Sequence, residues 1–297
     1  MNQTGLLKGI IPAIVTPIDD DERFAPAPYK ELLDSVYAAG VHGVYVCGQT
    51  GEGLLQGIAQ RKLVAEASMK HSPSGKQVIV HVGAYRTADA VELTRHASII
   101  GASAVSALPP LGPYPFAEIH AYYEAIAAAS SVPLLVYYFP ETCPAIKTAE
   151  QILELCAIPN VVGLKFTDFD LYRMRLLKNS GAVIFNGRDE VLVAGLLMGA
   201  DGGIGSFYNI IPELFVEVYN CTQKGDWMAA RKAQDQINTI IQLTLAFPMM
   251  PALKQILQWM GLDCGRCIEP RKGLTTTQTG QLRQQLESIN FPFQRAL

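Results

Sequence analysis

The sequence lacks a hydrophobic run long enough to cross a membrane, because no apolar stretch reaches the ~18–20 residues that a transmembrane helix needs. The N-terminal stretch of residues 1–17 is interrupted by Lys8 and Pro12 and has no basic n-region, so we expect no signal peptide. Charged residues make up only 17% of the chain, and the net charge of −3 leaves no basic surface for nucleic acid. We therefore expect a cytoplasmic protein that binds neither nucleic acid nor a membrane.

Metal-binding and redox motifs are also scarce. The five histidines form no i,i+4 pair and no HExxH motif, so no metal site is indicated. The six cysteines are scattered, mostly within apolar stretches, which is typical of reduced and buried thiols. Cys264 and Cys267 form one CxxC pair without a second ligand pair, and its two interpretations are an ordinary loop and a zinc or redox site.

What the sequence does contain is a regular alternation of short apolar runs and helix-like stretches. Eight runs rich in Val and Ile show no alternation with polar residues, which is typical of parallel strands covered on both faces. These predicted strands are Ile10–Val15, Gly43–Cys47, Gln77–Val82, Ala102–Ala107, Pro133–Tyr138, Val161–Phe166, Ala182–Phe185 and Gly202–Gly205. Eight strand–helix units predict an α/β protein with a (β/α)8 TIM barrel. A doubly wound open sheet is the alternative, but no GxGxxG turn follows the first strand.

Three more helical segments follow the eighth unit, at residues Asp226–Ala246, Pro251–Trp259 and Thr275–Ser288. The stretch Gly261–Gly273, with its glycines and proline, predicts a loop between the last two. No long linker separates these helices from the barrel. We predict a barrel over residues 1–223 and a C-terminal helical extension over residues 224–297, packed together as a single structural unit.

Lys165 is the one charge in the apolar stretch Val161–Thr167. Burial disfavours the ammonium form of a lysine, and a neutral amine can attack a carbonyl carbon. The alternative is a lysine at a strand end that extends to solvent.

Catalytic groups of a (β/α)8 barrel lie at the carboxyl ends of its strands. Polar groups follow five of the predicted strands, in Gly48–Glu52, Tyr137–Pro140, Lys165–Thr167, Asn186–Glu190 and Gly205–Asn209. This convergence predicts a site at one mouth of the barrel.

The turn Gly48-Gln49-Thr50-Gly51 brings backbone N–H groups and the Thr50 hydroxyl together, as a neutral donor nest for a small carboxylate would require. An ordinary strand–helix turn is the competing interpretation.

Tyr137 is either a proton relay beside the Lys165 amine or a core aromatic residue with a backbone partner. Tyr138 should point to the opposite face of the strand.

Asp189 and Glu190 open a predicted helix, so they are first-turn acids, acceptors for a polyhydroxylated substrate, or a glycosidase carboxylate pair. The glycosidase interpretation leaves Lys165 unexplained. Ser206 either hydrogen-bonds a substrate hydroxyl or starts a turn.

Taken together, these motifs resemble the dihydrodipicolinate synthase/N-acetylneuraminate lyase family of class I, Schiff-base aldolases. Gly48–Glu52 (GQTGE) is similar to the family's G-[ST]-T-G-E loop, Tyr137–Pro140 to its Y-N-x-P turn, and Gly163–Thr167 (GLKFT) to its Schiff-base strand. Residues 185–209 resemble the sialic acid lyase branch, whose matching positions hold the sugar-acid tail: Thr167, Gly187, Asp189, Glu190 and Ser206. The synthase branch has an Arg where this chain has Thr142, which speaks against lysine biosynthesis.

The resemblance implies cleavage of an N-acetylneuraminate-like 2-oxo-3-deoxy sugar acid to pyruvate and an aldehyde. Lys165 would form the imine, Tyr137 would relay the proton, and the turn Gly48–Gly51, with Gln49 and Thr50, would hold the carboxylate. No metal or organic cofactor is implied, and the assembly implied is a homotetramer. The alternatives are a synthase, dehydratase or deaminase that uses the same imine, and a non-catalytic 2-oxo-acid-binding protein.

Three departures from the family pattern bear on this expectation. Gln49 replaces a Ser or Thr, and Tyr138 replaces the usual Asn. The segment Leu108–Pro115 replaces a T-P-[FY]-Y segment whose second Tyr, which reaches a neighbouring subunit's site in the family, aligns with Gly112. Tyr114 is the candidate substitute for that Tyr. These changes affect the aldehyde partner more than imine formation.

Overall fold

The structure, a computed structural model, describes residues 7–293. Residues 1–6 belong to the N-terminal stretch and to the predicted barrel unit, and residues 294–297 belong to the predicted C-terminal extension. These ten residues lie outside the described part of the chain. The boundary that we place between residues 223 and 224 stays a prediction.

Eight parallel strands form the barrel, paired in the order β1-β8-β7-β6-β5-β4-β3-β2. A parallel bridge between Ala13 and Tyr45 joins β2 to the end of β1 and closes the ring. The predicted fold class is therefore confirmed. The strands are β1 (Gly9–Pro12), β2 (Gly43–Val46), β3 (Gln77–His81), β4 (Ala104–Ala107), β5 (Leu134–Tyr138), β6 (Val161–Phe166), β7 (Val183–Asn186) and β8 (Gly202–Gly205). Several are shorter than predicted, because the chain leaves the hydrogen-bonded ladder before its apolar run ends.

The strands separate two hydrophobic cores, and this explains their continuous apolar sequences. Every strand residue except Val162 is buried. Alternate residues such as Ile11, Tyr45 and Tyr137 fill the barrel interior, while the others pack under the surrounding helices. Tyr138 packs outward beside the inward-pointing Tyr137, as predicted from the period of a strand.

Helices follow the strands on the outside of the barrel. They are α1 (Pro26–Ala38), α2 (Ile58–His71), α3 (Thr87–Ile99), α4 (Phe116–Ala129), α5 (Ala149–Cys156), α6 (Leu171–Lys178), α7 (Leu192–Leu197) and α8 (Pro212–Gln223). Local signals explain several boundaries. Proline occupies the first turn of α1 and α8, and Thr148 with Gln151 forms a capping box at the start of α5.

Three C-terminal helices cover one side of the barrel: α9 (Trp227–Leu245), α10 (Met249–Trp259) and α11 (Thr276–Ser288). Helix α9 packs against α7 and α8, and α10 contacts the 3-10 turn Phe207–Asn209 that follows β8. The connection after α10 contains no helix or strand, as predicted, and it returns to the mouth of the barrel, where the Ile268 amide donates to the Glu52 carboxylate.

The CxxC pair lies in this connection. Both thiols are free and buried, and burial raises the pKa of Cys264 to about 12 and that of Cys267 to about 11. Thiols held in the protonated form are poor nucleophiles and poor metal ligands. The loop interpretation of this pair is therefore favoured.

In residues 7–293 no single helix is long and apolar enough to span a bilayer, and only α9 and α10 taken together, across a bend of 113°, have the required length and composition.

Candidate active site

The carboxyl ends of the strands surround a cavity of about 220 Å³. Residues from β5, β6 and β8 and from the turns after β2, β7 and β8 line it, together with residues from the C-terminal helices. Nine predicted site residues meet there: Gln49, Thr50, Tyr137, Lys165, Thr167, Gly187, Asp189, Glu190 and Ser206. Gly48 and Gly51 do not line the cavity and instead shape the turn behind it. A larger groove of about 560 Å³ lies on the outside near α8 and α9, and its lining contains no lysine.

Lys165 lies on β6 directly beside Tyr137 of β5. Its side chain does not extend to solvent, because the residue is only 5% exposed. The Nζ atom lies 4.1 Å from the centroid of the Tyr137 ring and 4.8 Å from that of Tyr45. No carboxylate in residues 7–293 forms an ion pair with this amine. The amine therefore meets aromatic faces instead of a counter-charge, and it lies within the wall of the cavity, where a carbonyl carbon could reach it.

Neighbouring rings fix the position of Tyr137. Tyr45 and His81 both meet its ring nearly edge-on, with centroid separations of 6.2 and 6.1 Å. Tyr138 points away from the cavity, and its hydroxyl contacts Asp168 and Arg173 instead. Only Tyr137 of this pair is thus available to a ligand in the cavity.

His81 packs against the Tyr137 ring, and the sequence did not predict this role. Its Nε2 accepts a hydrogen bond from the Leu108 amide, so its Nδ1 carries the proton and donates to the Cys47 carbonyl, both at 3.1 Å. Burial, followed by the charges of Arg61 and Lys165, lowers the pKa of His81 well below its usual value. A neutral His81 therefore joins the ends of β2 and β4 under the Tyr137 ring.

The turn after β2 is tightly folded. The Glu52 amide donates to the Gln49 carbonyl at 3.0 Å, and the Gly53 amide donates to the Gly48 carbonyl at 2.9 Å. The amides of Thr50 and Gly51 donate to no other group among residues 7–293. Free amides of this kind, beside a hydroxyl, can bind a carboxylate.

The Thr50 hydroxyl is already positioned by a neighbour. Its Oγ1 lies 2.7 Å from the Ser206 Oγ, which connects the turn after β2 with the end of β8 across β1. Since either oxygen can act as the donor, one of the two hydroxyls keeps its proton available for an acceptor in the cavity.

On the wall of the cavity opposite the turn after β2, two glycines leave room for polar groups to pack closely. A Cβ at Gly187 would overlap with the Thr167 hydroxyl, and a Cβ at Gly205 would overlap with the Asp189 carboxyl. The Thr167 Oγ1 and the Asp189 Oδ1 are both buried, and neither has a hydrogen-bond partner within the described part of the chain. This wall therefore presents buried oxygens that a ligand could satisfy.

Asp189 has an unusual electrostatic environment. Burial raises its pKa from 3.8 to about 7, with a smaller contribution from the charge of Glu190, and the hydrogen bond from the Phe207 amide at 2.9 Å opposes this rise. It opens a 3-10 turn, Asp189–Val191, so its place at the start of a helical stretch was predicted. Its carboxyl, however, is buried beside Gly205 and the Phe207 amide instead of facing solvent.

Arg188 lines the same cavity, although sequence reasoning gave it no role. It forms an ion pair with Glu141 across the mouth, and its guanidinium lies over the rings of Phe139 and Phe169, at 5.3 and 4.5 Å. Thr142, where the synthase branch has an Arg, donates its hydroxyl to the Phe139 carbonyl and does not reach the cavity.

Other lining residues come from distant parts of the chain and carried no signal in the sequence: Leu245, Met249, Met250 and Arg271. In residues 7–293 no group of three His, Cys, Asp or Glu side chains is arranged to hold a metal ion. The site thus combines one amine without an ion pair in residues 7–293, one phenol, neutral donors, the carboxylates of Asp189 and Glu190, and the guanidinium groups of Arg188 and Arg271.

The sequence matches the dihydrodipicolinate synthetase family over residues 6–289. It is 33% identical to an N-acetylneuraminate lyase of Rhizobium meliloti over 287 residues, which are 95% of each chain, and 34% identical to that of Escherichia coli K12 over 258 residues, which are 86% of this chain and 87% of the relative. The structure is similar to that of a sialic acid aldolase from Ruminococcus gnavus, with a TM-score of 0.91, 32% identity, and coverage of 96% of this chain and 97% of the other. The chain belongs to the dihydrodipicolinate synthetase family.

Proposed function

We propose that the protein is a pyruvate-dependent class I aldolase, a carbon–carbon lyase that cleaves a 2-oxo-3-deoxy sugar acid such as N-acetylneuraminate to pyruvate and an aldehyde. The observation that carries the proposal is the buried Lys165 amine, which contacts two aromatic rings and forms no ion pair within residues 7–293. The relatives named N-acetylneuraminate lyase and sialic acid aldolase support the same reaction class.

In the first step the neutral Lys165 Nζ attacks C2 of the 2-oxo acid, and loss of water gives an imine. The protonated imine then accepts the electron pair of the C3–C4 bond as that bond breaks. The products are an aldehyde and an enamine on Lys165. Protonation of C3 and addition of water release pyruvate and regenerate the amine. The lysine is itself the electron sink, so the chemistry needs no organic cofactor.

The C4 hydroxyl must lose a proton as the bond breaks, and Tyr137 is the phenol beside the amine. We assign it the role of proton relay, since its ring is fixed by Tyr45 and His81 and Tyr137 lines the cavity beside Lys165. Fixed geometry matters because a relay must stay within hydrogen-bond distance of the reacting oxygen.

The turn after β2 is assigned to the substrate carboxylate. Its donors at the cavity surface are the hydroxyl and the free amide of Thr50 and the Gln49 side chain, and Gly48 and Gly51 shape the turn that presents them. We assign the opposite wall to the hydroxylated tail, since the Thr167 Oγ1 and the Asp189 Oδ1 lack partners within residues 7–293. The residues assigned to the tail are Thr167, Gly187, Asp189, Glu190 and Ser206, whose hydroxyl also contacts Thr50.

The test is reduction with borohydride in the presence of pyruvate, followed by peptide mass spectrometry. The expected result is a reduced pyruvate adduct on the peptide that contains Lys165 and no adduct in the Lys165→Met variant. Absence of the adduct in the native chain would sink the proposal. A screen of aldehydes in the condensation direction then identifies the partner.

Two alternatives predict different outcomes in the same assays. A dehydratase or deaminase would form the Lys165 adduct but release water or ammonia, so product analysis separates it from an aldolase. A non-catalytic binding protein, which the Gln49 replacement favours, would bind pyruvate in calorimetry and turn over no aldehyde. The synthase alternative is disfavoured by Thr142, which lies outside the cavity lining.

We also propose a homotetramer that works in the cytoplasm. Exposed apolar side chains on one side of the barrel support self-association, and they lie just before α6, on α6 and at the end of α7: Phe169, Tyr172, Leu176 and Leu197. Sedimentation velocity measures the assembly directly, and a monomer at micromolar concentration would contradict this part of the proposal.

A further inference from the structure

Glu52 ends the turn that lines the cavity, and it is almost completely buried. The residue is 1% exposed, and its φ of 53° lies in the left-handed region, which is unusual for a side chain other than glycine. Its carboxylate accepts a hydrogen bond from the Ile268 amide at 3.1 Å. The turn is therefore attached to the connection between α10 and α11.

Two cations meet this one carboxylate. The Lys254 Nζ lies 2.9 Å from the Glu52 Oε2, and an Arg271 nitrogen lies 3.3 Å from the Oε1. The charges of Lys254 and Glu52 offset each other at this distance, so the formal charges of the Glu52–Lys254–Arg271 cluster sum to about +1. No second carboxylate in residues 7–293 forms an ion pair with Arg271.

The surplus charge faces the cavity. Arg271 lines the cavity with Gln49, Thr50 and Lys165, and 36% of its side chain is exposed. Only one of its guanidinium nitrogens is used by Glu52, so the others remain available to a ligand. A guanidinium with free, coplanar donors is well suited to a carboxylate.

We infer that Arg271 is an anion-binding residue of this cavity and that its ligand is a carboxylate of the substrate. Glu52 is then a positioning residue, because it holds the guanidinium at the rim while Lys254 cancels the charge of Glu52. The identity of the substrate rests on the proposed function. The carboxylate is either that of the 2-oxo acid or an acidic group at the far end of the aldehyde.

Arg188 is the other arginine of the cavity, and it does not fit this role. Its charge is matched one to one by Glu141, and its guanidinium contacts the rings of Phe139 and Phe169. A second anion would have to compete with Glu141 there. At Arg271 the competing carboxylate is already shared with Lys254.

The experiment compares Arg271→Met, which keeps an unbranched apolar stem, and Arg271→Lys, which keeps the charge, with the control Lys272→Met. Lys272 is the next residue in the chain, and its side chain is 81% exposed. Pyruvate binding is measured by calorimetry. Turnover and binding are measured with an aldose and with the uronic acid of the same configuration, which differ only in the terminal carboxylate.

If Arg271 binds the 2-oxo acid, Arg271→Met weakens pyruvate binding by about 10–100-fold, and Arg271→Lys restores part of it. If it binds an acidic tail, pyruvate binding stays unchanged and only the uronic acid loses a similar factor. If neither ligand distinguishes Arg271→Met from Lys272→Met, the inference is overturned. Thermal unfolding of each variant verifies that the chain still folds.

The two proposals fail in different ways. A native chain that gives no borohydride adduct on Lys165 is not a class I aldolase, yet calorimetry with pyruvate and with the uronic acid still tests Arg271. Conversely, an adduct on Lys165 together with unchanged binding in Arg271→Met removes Arg271 from the site and leaves the aldolase proposal in place.

Discussion

The cavity has two halves that differ in how neighbouring groups hold their hydroxyl, phenol and carboxyl groups. The reacting half consists of Lys165, Tyr137 and the Gly48–Glu52 turn, and the tail half consists of Thr167, Gly187, Arg188, Asp189 and Glu190. In the reacting half the Thr50 hydroxyl contacts Ser206 and rings fix Tyr137. In the tail half the Thr167 Oγ1, the Asp189 Oδ1 and the Arg188 Nε are buried, without a partner in residues 7–293.

Under the proposed function, we expect this difference to separate chemistry from specificity. A site that forms an imine needs its groups fixed before the substrate arrives, since misplacement by about 1 Å costs large factors in rate. Buried oxygens without partners instead penalise every ligand that cannot satisfy them. We therefore expect changes in the reacting half to alter kcat or pyruvate binding, and changes in the tail half to alter the choice of aldehyde.

The largest effect should come from Tyr137→Phe, which removes the proposed relay and keeps the ring. We expect kcat to fall by roughly 10²–10⁴-fold, while the amount of Lys165 adduct trapped at equilibrium stays close to that of the native chain. Tyr138→Phe is the matched control, because that hydroxyl contacts Asp168 and Arg173 outside the cavity. Equal losses in both variants would show that the phenol of Tyr137 relays no proton.

Asp189→Asn tests the tail half through the pH dependence of the free energy of unfolding. Because the folded carboxyl stays protonated up to a pKa of about 7, while the unfolded carboxyl ionises near 3.8, unfolding releases a proton between these values. The contribution of Asp189 to the free energy of unfolding thus falls as pH rises from about 4 to 7, by about 4 kcal/mol at most. We expect Asp189→Asn to flatten this slope.

Denaturant unfolding at pH 4, 5.5, 7 and 8 measures the slope for both chains. The native chain should lose stability relative to Asp189→Asn as the pH rises, with no further divergence above about pH 7. Parallel curves across this range would mean that the Asp189 carboxyl is ionised in the folded protein already at low pH.

Gly187→Ala tests whether a change in the tail half weakens aldehyde binding and leaves pyruvate binding unchanged. A Cβ at this position would overlap with the Thr167 hydroxyl and approach the Phe166 carbonyl, so the wall must shift. We expect the KM for the aldehyde to rise by about tenfold, the order that one lost hydrogen bond predicts, with pyruvate binding unchanged. Gly57→Ala is the control, because within residues 7–293 no atom beyond its chain neighbours lies within 4 Å of its Cβ position. Weaker pyruvate binding in Gly187→Ala would erase the distinction between the halves.

The same two halves also differ in how much the sequence reveals. Lys165 and the turn around Thr50 were predicted, because a charge within an apolar strand and glycines in a turn are local signals. The pairing of Arg188 with Glu141 was not, since the two residues are 47 positions apart on loops without periodicity. Arg271 contacts Glu52 from 219 positions away, so only the folded chain brings them together.

Asp189 shows that the sequence can predict the position of a residue without predicting its protonation. Its position before a helical stretch was readable from the sequence, as was its candidacy as a substrate acceptor. Burial beside Gly205 raises its pKa and the Phe207 amide opposes the rise, and both neighbours are contributed by the next strand and its turn. Strand types and strand ends follow from local composition, whereas the protonation of a buried carboxyl depends on packing between strands.

The smallest effect is expected from Gln49→Ala, and it sharpens the definition of the reacting half. Gln49 lines the cavity, and its amide can donate one neutral hydrogen bond to a carboxylate. The Thr50 hydroxyl and the free turn amides remain in the variant, so pyruvate binding should weaken only about fivefold, as for one neutral hydrogen bond. Gln223→Ala on the exposed end of α8 is the control, and calorimetry with pyruvate is the measurement. A loss above a hundredfold would mean that Gln49, and not the rest of the turn, is the main carboxylate ligand in this chain.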